Sequence, residues 1–227
     1  MKTLIVVATH TELQLLLDKS DKITSINSHL ATYSVNGKLF DLLCTGVGMV
    51  ATAFHLGATL TSNSYDCVIN AGIAGSFDRS FPLGTVVQVV EDQFPEMGAE
   101  DDSHFLSLTA LELIQPNDFP FESGVLSNTQ EFYSLSYPKV TAITVNTVHG
   151  STQRIAKTQA RLNPQIESME GAAFFYACKS LKVPCVQIRS ISNYVELRNK
   201  AAWNIPLAVQ NLNQENDNDN VNGDNDN

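Results

Sequence analysis

From the first residues to about Leu212, apolar runs of strand length alternate with stretches whose apolar residues recur every three or four positions. Thr3 to Ala8 predicts a buried strand, and Thr11 is placed to cap a helix carrying Leu13, Leu16 and Leu17. Leu30 to Val35 and Lys38 to Cys44 flank Asn36-Gly37, a dipeptide that closes two-residue hairpins because both residues accept a positive φ. A helix over Val50 to Thr61 follows, then a strand from Cys67 to Asn70 and a glycine-rich turn, Ala71-Gly72-Ile73-Ala74-Gly75. Gly84 to Val90 reads as a strand and Asp92 to Ser107 as a long polar connection, with strands near Gly124 to Leu126 and Val140 to Val145. The remaining pattern predicts helix Ser151 to Arg161, strand Gln165 to Ser168, helix Met169 to Leu181 and strand Pro184 to Ser190. A helix from about Lys200 to Leu212 closes the fold, limited or bent by Pro206. This alternation is that of a layered α/β fold.

Composition divides the chain in two. The 227 residues, 43% of them hydrophobic, suffice for one large domain, assigned to residues 1–213. Gln214 to Asn227 contains a single apolar side chain, Val221, and burial there cannot offset the entropy of ordering the backbone. Disorder is expected for it. Because Glu215, Asp217, Asp219, Asp224 and Asp226 lie in this tail, half of the net charge of −10 falls outside the domain. A mildly acidic domain does not suit nucleic acid, whose binding requires a basic surface. A small-molecule partner is expected instead.

Cys44, Cys67, Cys178 and Cys185 sit mostly within apolar stretches with no C-x-x-C spacing, as reduced core residues do. His10, Glu12 and Gln14 interrupt the apolar start before it makes a signal peptide, and no apolar run reaches the ~20 residues of a membrane span. A cytoplasmic protein without membrane contact is expected. The histidines show no metal-ligand spacing, so neither metal nor other cofactor is expected.

Gly46-Val47-Gly48-Met49-Val50-Ala51 follows a strand and opens a helix, as a dinucleotide fingerprint does, with Asp66 about 20 positions on. Yet Asp66 begins a strand instead of ending one, and the motif follows a hairpin instead of the first strand. The dinucleotide reading is set aside.

More specific are Ile166-Glu167-Ser168-Met169-Glu170-Gly171-Ala172-Ala173 and Gln187-Ile188-Arg189-Ser190-Ile191-Ser192-Asn193. Together they resemble the nucleoside phosphorylase and nucleosidase superfamily, over about residues 1 to 212. The resemblance implies a three-layer α/β/α sandwich with a central mixed, partly barrel-like sheet, a purine nucleoside substrate and a homo-oligomer.

Cleavage of a nucleoside C–N bond builds positive charge on the sugar and negative charge on the departing base. Glu170 is the candidate partner of the ribose hydroxyls and the developing cation, with Met169 against the sugar; alone, Glu170 would read as a first-turn acid facing a helix dipole. Asn193 stands where the resembling 6-aminopurine nucleosidases carry Asp. Its amide can donate to O6 and accept from a protonated N7 of a 6-oxopurine, although an Asn closing a strand is also a common turn former.

Glu12 falls where the resembling hydrolases hold and deprotonate the attacking water. Phosphorylases of the superfamily place a Gly-Asp-Pro-x-Arg loop there, and this chain has Ala8-Thr9-His10-Thr11-Glu12. Hydrolysis is therefore favoured, against the plainer reading of Glu12 as another first-turn acid. The resemblance further implies that Gly72 and Ile73 approach the ligand and that Val148 lines the base pocket. His149 is either a contact or structural, and Arg198 and Arg79 are candidate cations for an acidic tail on the substrate. A 6-aminopurine nucleosidase, a 6-oxopurine phosphorylase and a purine-binding protein without turnover are the alternative functions.

Overall fold

The computed structural model describes residues 1–102, 104–128 and 136–219, with 215–219 by backbone alone. Its first strand is β1, Thr3–Val7, followed by a 3-10 turn, His10–Leu13, and helix α1, Gln14–Leu17. The turn starts at Thr9, not at the expected Thr11, because Thr9 is the residue still in extended conformation. An exposed edge strand, β2, Asp21–Ser25, carries no alternation and was not foreseen. Strands β3, Leu30–Val35, and β4, Lys38–Cys44, pair through the Asn36-Gly37 turn, where φ is 50° and 77°.

After α2, Met49–Ser62, strand β5 runs Cys67–Ser76. The expected glycine-rich turn is therefore strand, and neither Gly72 nor Gly75 needs a positive φ. Their value is the absence of a side chain. Strand β6, Val86–Gln93, leads into a hairpin, β7, Gly98–Asp101, and β8, His104–Ser107, where a polar connection was expected. The rest comprises β9, Leu126–Ser127; β10, Lys139–Thr144; α3, Thr152–Leu162; β11, Ile166–Ser168; α4, Gly171–Ser180; β12, Cys185–Tyr194; and α5, Ile205–Asp219. Lys200–Ala202 is a separate 3-10 turn, and Pro206 sits in the first turn of α5, where its missing N–H is harmless. The helical backbone of α5 extends past Leu212 into the acidic segment, and residues 220–227 lie outside the described residues.

The sheet runs β2-β3-β4-β1-β5-β12-β6-β10-β11. β11 then returns to pair antiparallel with β5, Ile166 opposite Ser76 and Glu167 opposite Gly75, so that β5, β12, β6, β10 and β11 close into a small barrel. Successive side chains of β1 point to opposite faces and divide the core. Leu4 and Val6 pack with Leu56 and Leu60 of α2 and Phe174 and Phe175 of α4, while Ile5 and Val7 pack with Leu13, Leu16 and Leu212. Helices thus cover both faces of a mixed, partly closed sheet, the three-layer architecture expected.

Candidate active site

The C-terminal ends of β1, β5 and β12 and the start of α4 surround a cavity of about 400 Å³. Glu12, Ile73, Val148, Met169, Glu170 and Asn193 all line it. Residues distant in sequence thus meet because parallel strands present their chain ends on one edge.

Glu12 enters from the turn after β1. Its Oε2 accepts from the backbone N–H groups of Ala8 and Thr9, at 2.9 and 3.0 Å. It is therefore both a first-turn acid and a cavity wall. Burial raises its pKa above the ordinary glutamate value, and the neighbouring Glu170 charge adds to this, against the lowering by Thr9, Ala8 and Arg189. A base raised in this way has more affinity for the proton of a bound water.

Glu170 is the N-cap residue of α4, but its carboxylate does not cap the helix. The first helical amides are met by other groups: Gly171 N–H donates to Ser168 Oγ at 3.2 Å and Ala172 N–H to Thr144 Oγ1 at 2.7 Å. Glu170 Oε1 instead accepts from Gly48 N–H at 2.9 Å. Gly48, whose amide is directed at Glu170, has φ 97° and Gly46 φ 86°, values that L side chains rarely adopt. The motif that imitates a dinucleotide loop therefore holds a carboxylate of the cavity wall.

Asn193 owes its position to a β-bulge. The β12–β5 register shifts between Ile191 and Asn193, and Ser192 and Asn193 both reach the cavity wall, which consecutive residues of a regular strand do not. Ser192 Oγ donates to Asn193 Oδ1 at 2.9 Å, and Asn193 Nδ2 donates to Tyr194 O at 3.1 Å, which fixes the amide.

Two expected contacts lie elsewhere. Gly72 is not part of the cavity wall: a Cβ there would stand 2.9 Å from both Glu12 Oε1 and Arg189 Nη1, so the bare backbone makes room for those two groups. Gly72→Ala is expected to push the Glu12 carboxylate aside, lowering kcat at least about tenfold with little change in KM, in steady-state kinetics. Arg198 is exposed and also lies off the cavity wall, its guanidinium 5.7 Å from the ring of Trp203, which does line the cavity. Arg79 pairs with Glu196 and lies over Tyr194.

Sequence reasoning assigned no role to Arg189, which the fold buries to 1% exposure behind Glu12 and Glu170. Its Nη2 donates to Asn70 Oδ1, and Asn70 Nδ2 to Val6 O at 2.9 Å. Burial lowers its pKa, and the charges of Glu170, Glu12 and Asp92 oppose that shift. Asp92 accepts from Thr144 Oγ1 at 3.0 Å and Gln187 Nε2 at 3.2 Å inside the barrel, where burial raises its pKa to about 7. Among the described residues Gln187 Oε1 has no hydrogen-bond partner.

Raised carboxyl pKa values have a defined sign in stability. Between the unfolded Asp value of about 4 and a folded value near 7, the folded state holds a proton that the unfolded state has lost, so stability falls as pH rises through that window. Denaturant unfolding is expected to give a lower stability at pH 8 than at pH 5.5. Asp92→Asn is expected to flatten this dependence, since an amide carries no charge to bury and offers Gln187 Oε1 a donor.

The chain belongs to the phosphorylase superfamily, whose sequence profile it matches over residues 2–219. Among its relatives, futalosine hydrolase from Thermus thermophilus is 29% identical over 81% of this chain and 82% of that protein, and the Streptomyces coelicolor futalosine hydrolase is 31% identical over 76% and 75%. A 5'-methylthioadenosine/S-adenosylhomocysteine nucleosidase from Aeromonas salmonicida is 27% identical over 85% and 86%. The fold is that of the corresponding nucleosidase of Colwellia psychrerythraea, solved with adenine (TM-score 0.74, 23% identity, 95% of each chain).

Proposed function

We propose that this chain hydrolyses the N-glycosidic bond of futalosine, releasing hypoxanthine and leaving dehypoxanthine futalosine, a step of menaquinone synthesis. The chain is an N-glycosyl hydrolase, in line with relatives named as hydrolases and nucleosidases. The observation that carries the finer reading is an amide, Asn193, in one cavity with two carboxylates, Glu12 and Glu170. Glu12 takes a proton from water, whose oxygen adds to C1' as the C–N bond breaks; the base leaves with the bonding pair and takes its proton from solvent. Glu170 accepts from the ribose hydroxyls and offsets the charge of the oxocarbenium-like sugar. Asn193 hydrogen-bonds O6 and N7 of the departing base, which an ionised carboxylate could not do with the O6 lone pairs.

Trp203, Ile205 and Val209 are apolar residues of the cavity wall and are assigned to the aromatic tail of futalosine, with Arg198 beside Trp203 as the cation for its carboxylate. Arg79 is the weaker candidate because Glu196 already engages it. Val47, on the cavity wall, continues into exposed Val50 and Phe54, an apolar patch suited to a second copy of the chain. The reading is of a cytoplasmic homo-oligomer that requires no metal or cofactor; among the described residues no helix is long and apolar enough to cross a membrane.

A second reading, a methylthioadenosine or adenosylhomocysteine nucleosidase, is favoured by comparably similar relatives and by the same apolar residues, which would also suit an alkylthio group. Base release from futalosine, inosine, methylthioadenosine and adenosylhomocysteine, each with and without phosphate, separates the two. Phosphate-independent hypoxanthine release from futalosine is expected; adenine release would replace the first reading by the second. Asn193→Asp is expected to lower turnover of the 6-oxopurine substrate by roughly 10-fold to 100-fold, the value of one or two base hydrogen bonds. Unchanged base preference in that variant would remove Asn193 from the account.

A further inference from the structure

The cavity holds a third carboxylate that hydrolysis does not use. Glu167, in the middle of β11, and His149, after β10, both line the cavity, with side chains 3% and 4% exposed. Glu167 Oε2 lies 2.5 Å from His149 Nδ1, and Oε1 accepts from His149 N–H at 3.0 Å. On the far side of the ring, His149 Nε2 meets Thr158 Oγ1 of α3 at 2.9 Å, and Phe77 packs edge-on at 5.9 Å. With the Thr158 hydroxyl donating to Nε2, Nδ1–H points at Glu167. A buried carboxylate is costly unless it receives hydrogen bonds, and the histidine supplies two. Its four lone-pair sites leave room for a donor from a ligand.

This carboxylate stands beside Asn193. A Cβ on Gly75 would lie 3.1 Å from Asn193 Nδ2 and 3.6 Å from Glu167 Cγ, so the two side chains flank the same glycine, one from β12 and one from β11. Asn193 is the base-recognising group of the proposed function, and the present inference rests on that reading. The end of the cavity that receives the base thus contains an amide and a fixed hydrogen-bond acceptor. Purines differ there at N1 as well as at position 6. A 6-oxopurine carries a hydrogen on N1, whereas a 6-aminopurine presents a lone pair.

We infer that Glu167, clamped by His149, determines specificity by accepting the N1–H of a 6-oxopurine and repelling the N1 lone pair of a 6-aminopurine. Glu167 is then a binding residue, and His149 is a positioning residue that acts through it. The arrangement separates tasks within one pocket: Asn193 serves O6 and N7, and Glu167 serves N1. It also makes discrimination sharper than a single amide allows, because an adenine would leave a buried acceptor facing another acceptor.

The test is a competition measurement with free bases on the intact chain, which requires no turnover. Hypoxanthine, 1-methylhypoxanthine and adenine are titrated against the wild type, Glu167→Gln and His149→Ala, with thermal unfolding as a check that each variant folds. For the wild type, methylation at N1 is expected to weaken binding at least tenfold. In Glu167→Gln, whose amide can donate as well as accept, the preference for hypoxanthine over adenine is expected to shrink about tenfold. His149→Ala is expected to weaken hypoxanthine while leaving adenine within about twofold. Equal binding of hypoxanthine and 1-methylhypoxanthine by the wild type overturns the inference without any variant. So does an unchanged preference in a folded Glu167→Gln. If the wild type binds hypoxanthine with these properties but releases no base from futalosine, the proposed function fails while this assignment stands. Hypoxanthine release from futalosine without an N1 preference gives the converse.

Discussion

Replacing Glu12 by glutamine is expected to lower kcat by about 10²–10⁴-fold, the range of a lost general base, while free purine still binds. The amide matches the carboxylate in shape, and its oxygen can still accept from Ala8 and Thr9 N–H at the Oε2 position. What it loses is affinity for a proton. Burial holds the pKa of the native residue above the ordinary glutamate range, so the acid limb of the wild-type kcat profile is expected above that range. Activity there falls as pH falls, since a protonated Glu12 cannot accept from water. Single-turnover kinetics with the tightest nucleoside of the panel, beside calorimetry with the free base, reads both quantities. Turnover within threefold of wild type would remove Glu12 as the base.

Much of this was legible in the sequence. The Asn36-Gly37 hairpin closed where its φ preferences place it, and Glu12, Glu170, Met169 and Asn193 converge because superfamily motifs follow strands whose ends share one edge of the sheet. Three features were not legible, for physical reasons. Glycines conceal the length of β5: Ala71 to Gly75 reads as a turn because local propensity disregards the Glu12 and Arg189 groups that need the empty space. The bulge at Ser192 has no local signature, as it arises from pairing with a distant strand. Gln187 and Arg189 alternate with Val186 and Ile188, a pattern that reads as a solvent-facing polar edge, whereas β12 is buried on both faces and its polar side chains are partnered by Asp92 and Asn70 of the neighbouring strands β6 and β5.

Arg189 carries the second large expected effect. It is the cation set among Glu12, Glu170 and Asp92, and among the three only Glu12 and Glu170 face the cavity. Arg189→Met keeps an extended, apolar side chain in the space but leaves three carboxyl groups without their counter-charge. Removing one member of such a buried set costs about 3–5 kcal/mol, because the remaining charges are uncompensated. Glu12 and Asp92 would respond by holding protons, their pKa values moving further up. Proton uptake relieves the penalty at low pH and not at high pH, so the loss of stability is expected to be larger at pH 8 than at pH 5.5 by denaturant unfolding. Catalysis should suffer beyond the loss of folded protein, since a protonated Glu12 is not a base. Arg189→Lys separates charge from geometry: it restores the cation, but a lysine cannot reproduce the planar fork that bonds Asn70 and the carbonyl of Ile188. Recovery of stability at pH 8 with kcat still depressed would assign Arg189 to placing the Glu12 carboxylate. A loss equal at both pH values would mean that Arg189 acts through packing alone.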